Sequence, residues 1–293
     1  DPADPVAPLP EFTGGLFWDG RASGLRLGNP AAEQALGPFL NAAEHNVADK
    51  QTILNNIKSS KYYSLWLSAF NNEAIDLSTP ASIDANYDKV GRAIAAYEAT
   101  TEVNKFTSKF DAYMKGQTRL SAAEARGLAI FNLEGECYDC HESVSHDGIT
   151  PALFTDFGYH NLGLPRNEAT PNKRMLLQQE LGLGGELETV LSNGQFKYPA
   201  AWRAQAVAQY GKFKTPTLRN VAVGSNRRYM HNGIFNSLEQ VVHFYNTRDV
   251  PGAGWTIDGV FKTWAQLGRE VNINVEIHGA GNLGLTAQQE ADL

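Results

Sequence analysis

Cysteine is nearly absent from this 293-residue chain: there are two, Cys137 and Cys140, separated by two residues. No further Cys or His pair stands at ligand spacing, which argues against a zinc site. Basic runs are missing as well, and the formal net charge is −7. Nothing here neutralises a phosphate backbone, so a nucleic-acid partner is not expected, although a protein redox partner could still dock on a local patch. No long uncharged apolar run is present, so no membrane span is expected. Internal repeats and low-complexity tracts are absent, and strand patterns are few and short. The chain starts at Asp1 without a positively charged, apolar leader, from which we expect a processed or trimmed chain.

What is present reads as mainly α. Asn29-Pro30 is an N-cap followed by proline at the first helical position, opening a helix through Gln34 and Leu36. Thr79-Pro80 repeats that signal, with Val90, Ile94 and Tyr97 expected on one inward face. Ser121-Ala122-Ala123-Glu124 is a capping box; its helix runs through Leu128 and Phe131 and delivers the chain to Cys137. Ser237-Leu238-Glu239-Gln240 has the same pattern, and places Leu238, Val241, Val242 and Tyr245 on one apolar stripe. Thr286-Ala287-Gln288-Gln289 opens a last helix that stops at Leu293, so we expect the C-terminus to be incomplete. Residues 1–16 read as a Pro-rich arm, and 143–199 as a glycine-rich stretch of loops.

The two cysteines sit in Cys137-Tyr138-Asp139-Cys140-His141. A dithiol, half a zinc site and a haem attachment share the Cys-x-x-Cys spacing, and the histidine directly after the second cysteine selects the last. Two thioethers anchor the porphyrin, and His141 is placed to bind its iron. Covalent haem of this kind implies export, and we expect the bacterial periplasm. A second axial ligand could come from Met230, His231, His243, His160 or Tyr245. On pattern alone Tyr245 is an ordinary core aromatic, and Met230 is core filler.

The string Gly211-Lys212-Phe213-Lys214-Thr215-Pro216-Thr217-Leu218-Arg219-Asn220, followed by Tyr229-Met230-His231-Asn232-Gly233, resembles the second haem domain of the bacterial di-haem cytochrome c peroxidase/MauG family. Phe17-Trp18-Asp19-Gly20-Arg21-Ala22 and Gln34-Ala35-Leu36-Gly37-Pro38-Phe39 resemble the first. The resemblance implies two cytochrome-c-like haem domains, residues 1–115 and 116–293, with long ordered loops. It also implies a ligand fourteen residues after His231, which is Tyr245. A tyrosine there is similar to the MauG-like branch. An anionic, hard phenolate favours oxidised iron, where a thioether does the reverse.

By the same resemblance Gln34, Pro38 and Glu44 form the distal pocket of a peroxide-binding haem. Glu44 is the acid–base group, Gln34 orients the bound oxygen species and Pro38 occludes the iron. Read alone, Glu44 is a solvated helix-end carboxylate. Trp18 is implied between the haems as an electron relay, and Asn226 with the Arg228 carbonyl as calcium ligands. Two departures stand out. The family's earlier Cys-x-x-Cys-His, which holds the first haem, is not in this chain, and we expect that its segment has been left out. The tryptophan that precedes the second motif in MauG is replaced by Gly135. The expected activity is peroxide-driven oxidation of a partner protein. The alternatives are peroxide reduction fed by a small cytochrome or cupredoxin, and mono-haem electron transfer.

Overall fold

The structure is a computed structural model that describes residues 11–145, 147–168, 181–224, 227–257 and 259–293. These fall into two compact units. One holds Gly15–Phe17 and Ala22–Lys105; the other holds Trp18–Arg21 and Phe106–Leu293, together with the stretch that ends at Gly14. The chain is mostly helical with few short strands, as the sequence leads one to expect.

The first unit contains α1 (Pro30–Leu40), α2 (Lys50–Ser59), α3 (Tyr63–Ala69) and α4 (Pro80–Glu98). Asn29 caps α1 by accepting from Ala31 N and Ala32 N. Thr79 and Ser82 form a reciprocal capping box at α4. α1 lies against α4, where a side chain at Gly91 would run into the Ala32 carbonyl and Leu36. Glycine and alanine let the two backbones approach, and the buried Tyr87 hydroxyl donates to Leu36 O at 2.6 Å. Leu36, Leu54, Trp66, Ile75 and Val90 complete this core. Tyr97 departs from expectation: it is 54% exposed. The inward face of α4 is carried by Tyr87, Val90, Gly91 and Ala95 instead, and has rotated away from Tyr97 in the last turn.

The second unit contains α5 (Lys109–Met114), α6 (Ala122–Asn132), α7 (Gly182–Leu187), α8 (Ala200–Arg203), α9 (Leu238–Thr247), α10 (Trp264–Leu267) and α11 (Ala287–Asp292). Two small antiparallel ladders join them. β1 (Tyr159–His160) pairs with β2 (Phe213–Lys214), and β3 (Gly254–Ile257) with β4 (Val260–Thr263). α11 docks on α6, where Asp292 pairs with Arg126 at 2.7 Å and its carbonyl covers Gly127. Capping boxes form at Ser121 and Thr286. At Ser237 only half of one forms. Ser237 accepts from Gln240 N, but the Gln240 side chain accepts from Asn236 N instead of the cap. The buried positions of α9 are Gln240, Phe244 and Asn246. Phe235 and Trp264 cover Phe244, so the deepest face lies beside the expected 238/241/245 stripe.

The most consequential ion pair joins α5 to a loop far along the chain. Arg219 grips both oxygens of buried Asp111 at 2.9 and 3.0 Å. This pairing, with Ser108, holds the Asp111 carboxyl at about 2. A carboxyl depressed in the folded state adds stability that is complete above its unfolded value of about 3.9 and is lost as the pH falls through the folded value. We predict that Asp111→Ala lowers unfolding free energy at neutral pH by about 3 kcal/mol, and that the deficit narrows between pH 4 and pH 2. Chemical denaturation across that range checks both.

Candidate functional site

Five consecutive residues carry the chemistry, and the local backbone is built to present them. α6 ends at Asn132, and Gly135 N returns to Ile130 O at 2.7 Å. A Cβ at Gly135 would sit 2.8 Å from that same carbonyl, so the tight return favours glycine here. Glu136 takes a left-handed conformation, φ 51°, and Cys137–Asp139 form one 3₁₀ turn closed by Cys140 N to Cys137 O, with His141 N also donating to Cys137 O at 2.8 Å. Both thiols are free and partly buried. Burial pushes the Cys137 thiol up to about 12.

His141 is fixed by the loop that faces it. Its Nδ1 donates to Phe154 O at 2.8 Å, which leaves Nε2 for a metal ion. Phe154 is itself held with φ 54°, and the motif that carried the sequence resemblance does the holding. Thr217 donates to Leu153 O at 2.6 Å, Arg219 to Ala152 O at 2.8 Å, and Thr155 to Thr215 O at 2.7 Å. Asp156 N closes the loop on Cys140 O at 2.8 Å. The Asp111–Arg219 pair therefore anchors the loop that orients the imidazole. Sequence reasoning missed Phe154 and Asp111; the visible signal was Arg219 within the quoted string.

Among the sequence candidates for a second ligand, three histidines are engaged by carboxylates. His231 Nε2 lies 2.8 Å from Glu270, with its ring stacked on Phe213. His243 Nδ1 is 3.1 Å from both oxygens of Glu290. His160 Nε2 is 2.9 Å from Asp156, and its Nδ1 is 3.6 Å from Glu276. Met230 and Tyr245 share one apolar cluster with Tyr229, Phe235 and Phe244. The Tyr245 phenol is raised above its usual range, first by burial and then by the nearby Cys140 and Cys137.

Haem fits these residues. They supply two thiols, an imidazole with Nε2 available and a phenol close to the thiols; the buried Tyr229 hydroxyl has no partner among the described residues, and a polar group entering the cluster would satisfy it. A competing arrangement uses Cys140, Asp156 and His160, whose ligand atoms lie within 4.8 Å of one another. Cysteine, carboxylate and imidazole suit zinc, but a thioether at Cys140 would exclude it.

Of the first-domain candidates, Gln34, Pro38 and Glu44 lie in the smaller unit and Trp18 in the larger one. Gln34 and Pro38 stand one turn apart on α1. Glu44 is exposed in the following turn, which His45 N ties to Pro38 O at 3.1 Å. Trp18 is 38% exposed, its carbonyl accepts from Lys214 N at 2.7 Å and Arg21 lies 5.7 Å from its ring. Arg228 is exposed, and Asn226 lies outside the described residues.

Fold and motif together define a mainly helical c-type haem protein, and comparison with known proteins carries this further. The family model described as di-haem cytochrome c peroxidase matches residues 5–119. The methylamine utilization protein MauG of Paracoccus denitrificans is 33% identical over 80% of this chain and 54% of its own length. The cytochrome-c peroxidase IdrP1 of a Pseudomonas species is 28% identical over 79% of this chain and 55% of its own. The crystal structure of the diheme peroxidase BthA from Burkholderia thailandensis superposes with a TM-score of 0.70 at 28% identity, covering 96% of this chain and 64% of that one. The chain belongs to the di-haem cytochrome c peroxidase/MauG family, whose cofactor is haem c. It spans about half the length of the curated relatives it matches.

We predict that Cys140→Ala leaves at most one thioether, shifting the pyridine haemochrome band to that of a singly attached haem. Cys137→Ala with Cys140→Ala should abolish covalent haem on denaturing gels.

Proposed function

We propose that this chain is part of a periplasmic, MauG-like di-haem enzyme that uses hydrogen peroxide to oxidise a partner protein. The observation that carries the reading is Tyr245, a partly buried phenol of the aromatic cluster whose ionisation is disfavoured by burial and then by Cys140 and Cys137. His231 and His243, near it in sequence, are instead held by carboxylates. As a phenolate opposite His141, Tyr245 would favour oxidised iron and let the site share oxidising equivalents.

Haem iron, when bound, supplies the reduction of peroxide, and the native protein carries two such groups. The chain's own residues do the rest. Glu44 moves a proton from the inner to the outer peroxide oxygen. Gln34 would orient the oxygen species by hydrogen bonding, and Pro38 would keep stronger ligands away from the iron. His141 would bind iron through Nε2, its orientation set by Phe154 O. Trp18 would act as the electron relay that the family resemblance implies. No helix among the described residues is long and apolar enough to cross a membrane.

Gly135 favours a second reading. Its backbone return leaves no room for an indole, so a small cytochrome or cupredoxin could serve as the electron source in simple peroxide reduction. Calcium at Asn226 and the Arg228 carbonyl rests on the family resemblance alone.

Glu44→Gln should lower peroxide turnover about 100-fold while haem content stays that of the wild type. Stopped-flow peroxide consumption measures this, and an unchanged rate removes Glu44 from the mechanism. Two haems per native chain are expected by pyridine haemochrome; one would overturn the di-haem reading.

A further inference from the structure

The aromatic cluster behind Tyr245 does more than fill space. Phe244 is fully buried and touches Tyr245 on one side at 6.1 Å and Trp264 on the other at 5.3 Å, both edge-to-face. Trp264 also forms part of the wall of a cavity of about 420 Å³ in the same unit. That wall includes Phe244, Pro251, Arg248, Asp249 and Arg269. One indole therefore stands two ring contacts from the phenol beside the haem motif and directly against a space large enough for an aromatic side chain.

The charges of the cavity specify its occupant. Asp249 lies between two guanidiniums, at 2.6 Å from Arg248 and 2.6 Å from Arg269. Arg248 is buried and also donates to the carbonyls of Leu162, Glu276 and Ala280. Two cations against one carboxylate leave one positive charge in a chain whose net charge is −7. The cavity therefore suits an aromatic ring that carries a carboxylate next to it.

The surroundings of Trp264 suit reversible oxidation. Its indole N–H donates to Thr247 Oγ1 at 3.0 Å, and the Thr247 hydroxyl donates in turn to His243 O at 2.6 Å. A neutral hydroxyl is a poor base, so an indole that loses an electron keeps its proton and is restored by electron uptake alone. A carboxylate at that nitrogen would instead take the proton and trap the hole.

We infer that Trp264 relays electrons to the Tyr245 side from a phenol-bearing, carboxylate-flanked side chain of a partner protein seated in the Arg248/Arg269 cavity. This rests on the peroxide-driven reading above. Hydrogen peroxide takes two electrons and two protons and leaves as two waters. Each of two phenols supplies one electron and its hydroxyl proton, and the two phenoxyl radicals join through a carbon–carbon bond.

The test uses the holoenzyme, peroxide and two probes: N-acetyltyrosine, which bears a carboxylate, and N-acetyltyrosinamide, which does not. Dityrosine fluorescence reports their coupling. Wild type should couple the anionic probe several-fold faster than the neutral one, and Arg269→Ala should remove that preference. Trp264→Phe should slow both probes several-fold, and Trp264→Tyr, which restores an oxidisable ring, should recover the rate. A second readout needs no donor: after peroxide alone, peptide mapping should find oxygen added at Trp264 in the wild type. In Trp264→Phe the haem content and ferric spectrum should match the wild type. Equal rates in wild type and Trp264→Phe with peroxide still consumed overturn the relay alone, as does a Trp264→Tyr variant as slow as Trp264→Phe. Absence of probe preference overturns the cavity assignment, and a wild type that consumes no peroxide overturns this inference together with the function it rests on.

Discussion

Everything in the larger unit is organised around holding one imidazole still. His141 follows Cys140 directly, so the peptide chain alone leaves its ring free to turn. The hydrogen bond from Nδ1 to Phe154 O removes that freedom and commits Nε2 to metal binding. The carbonyl can serve only if its own loop is rigid. Thr215, Thr217 and Arg219 bind three successive parts of that loop, and Asp111 neutralises Arg219 from α5. The string by which the sequence resembles its family is thus a brace for the ligand, not a part of the reacting centre.

The same logic explains what surrounds Tyr245. A phenol can bind iron only if nothing else holds it and its competitors are engaged. Glu270 and Glu290 occupy the two histidines nearest in sequence, and Asp156 and Glu276 occupy His160. Met230 remains in the cluster, as packing. Desolvation, and then the charges of Cys140 and Cys137, make the free phenolate costly, so a metal cation is what would stabilise its charge.

How much of this was legible follows from the range of each interaction. Covalent attachment of haem needs contiguous residues, so Cys137, Cys140 and His141 could be read directly. Helix starts were equally local: Asn29, Thr79, Ser121 and Thr286 all cap where their neighbours suggest. Tyr245 emerged only by counting from His231 within a family pattern, because its periodicity is that of any core aromatic. Phe154 and Asp111 were beyond reach. The first acts through its backbone, which the side chain does not advertise, and the second lies 108 residues from Arg219. Tyr97 and the half-formed cap at Ser237 failed for a related reason: packing partners elsewhere in the chain decided which face turned inward and which group Gln240 served.

The central claim is that Tyr245 would bind the iron that His141 would hold. Resonance Raman spectra of the ferric holoprotein, prepared with ring-deuterated tyrosine, test it most directly. The account predicts iron–phenolate bands that shift on deuteration and vanish in Tyr245→Phe. Bands that are absent from the wild type, or a spectrum that Tyr245→Phe leaves unchanged, would contradict it.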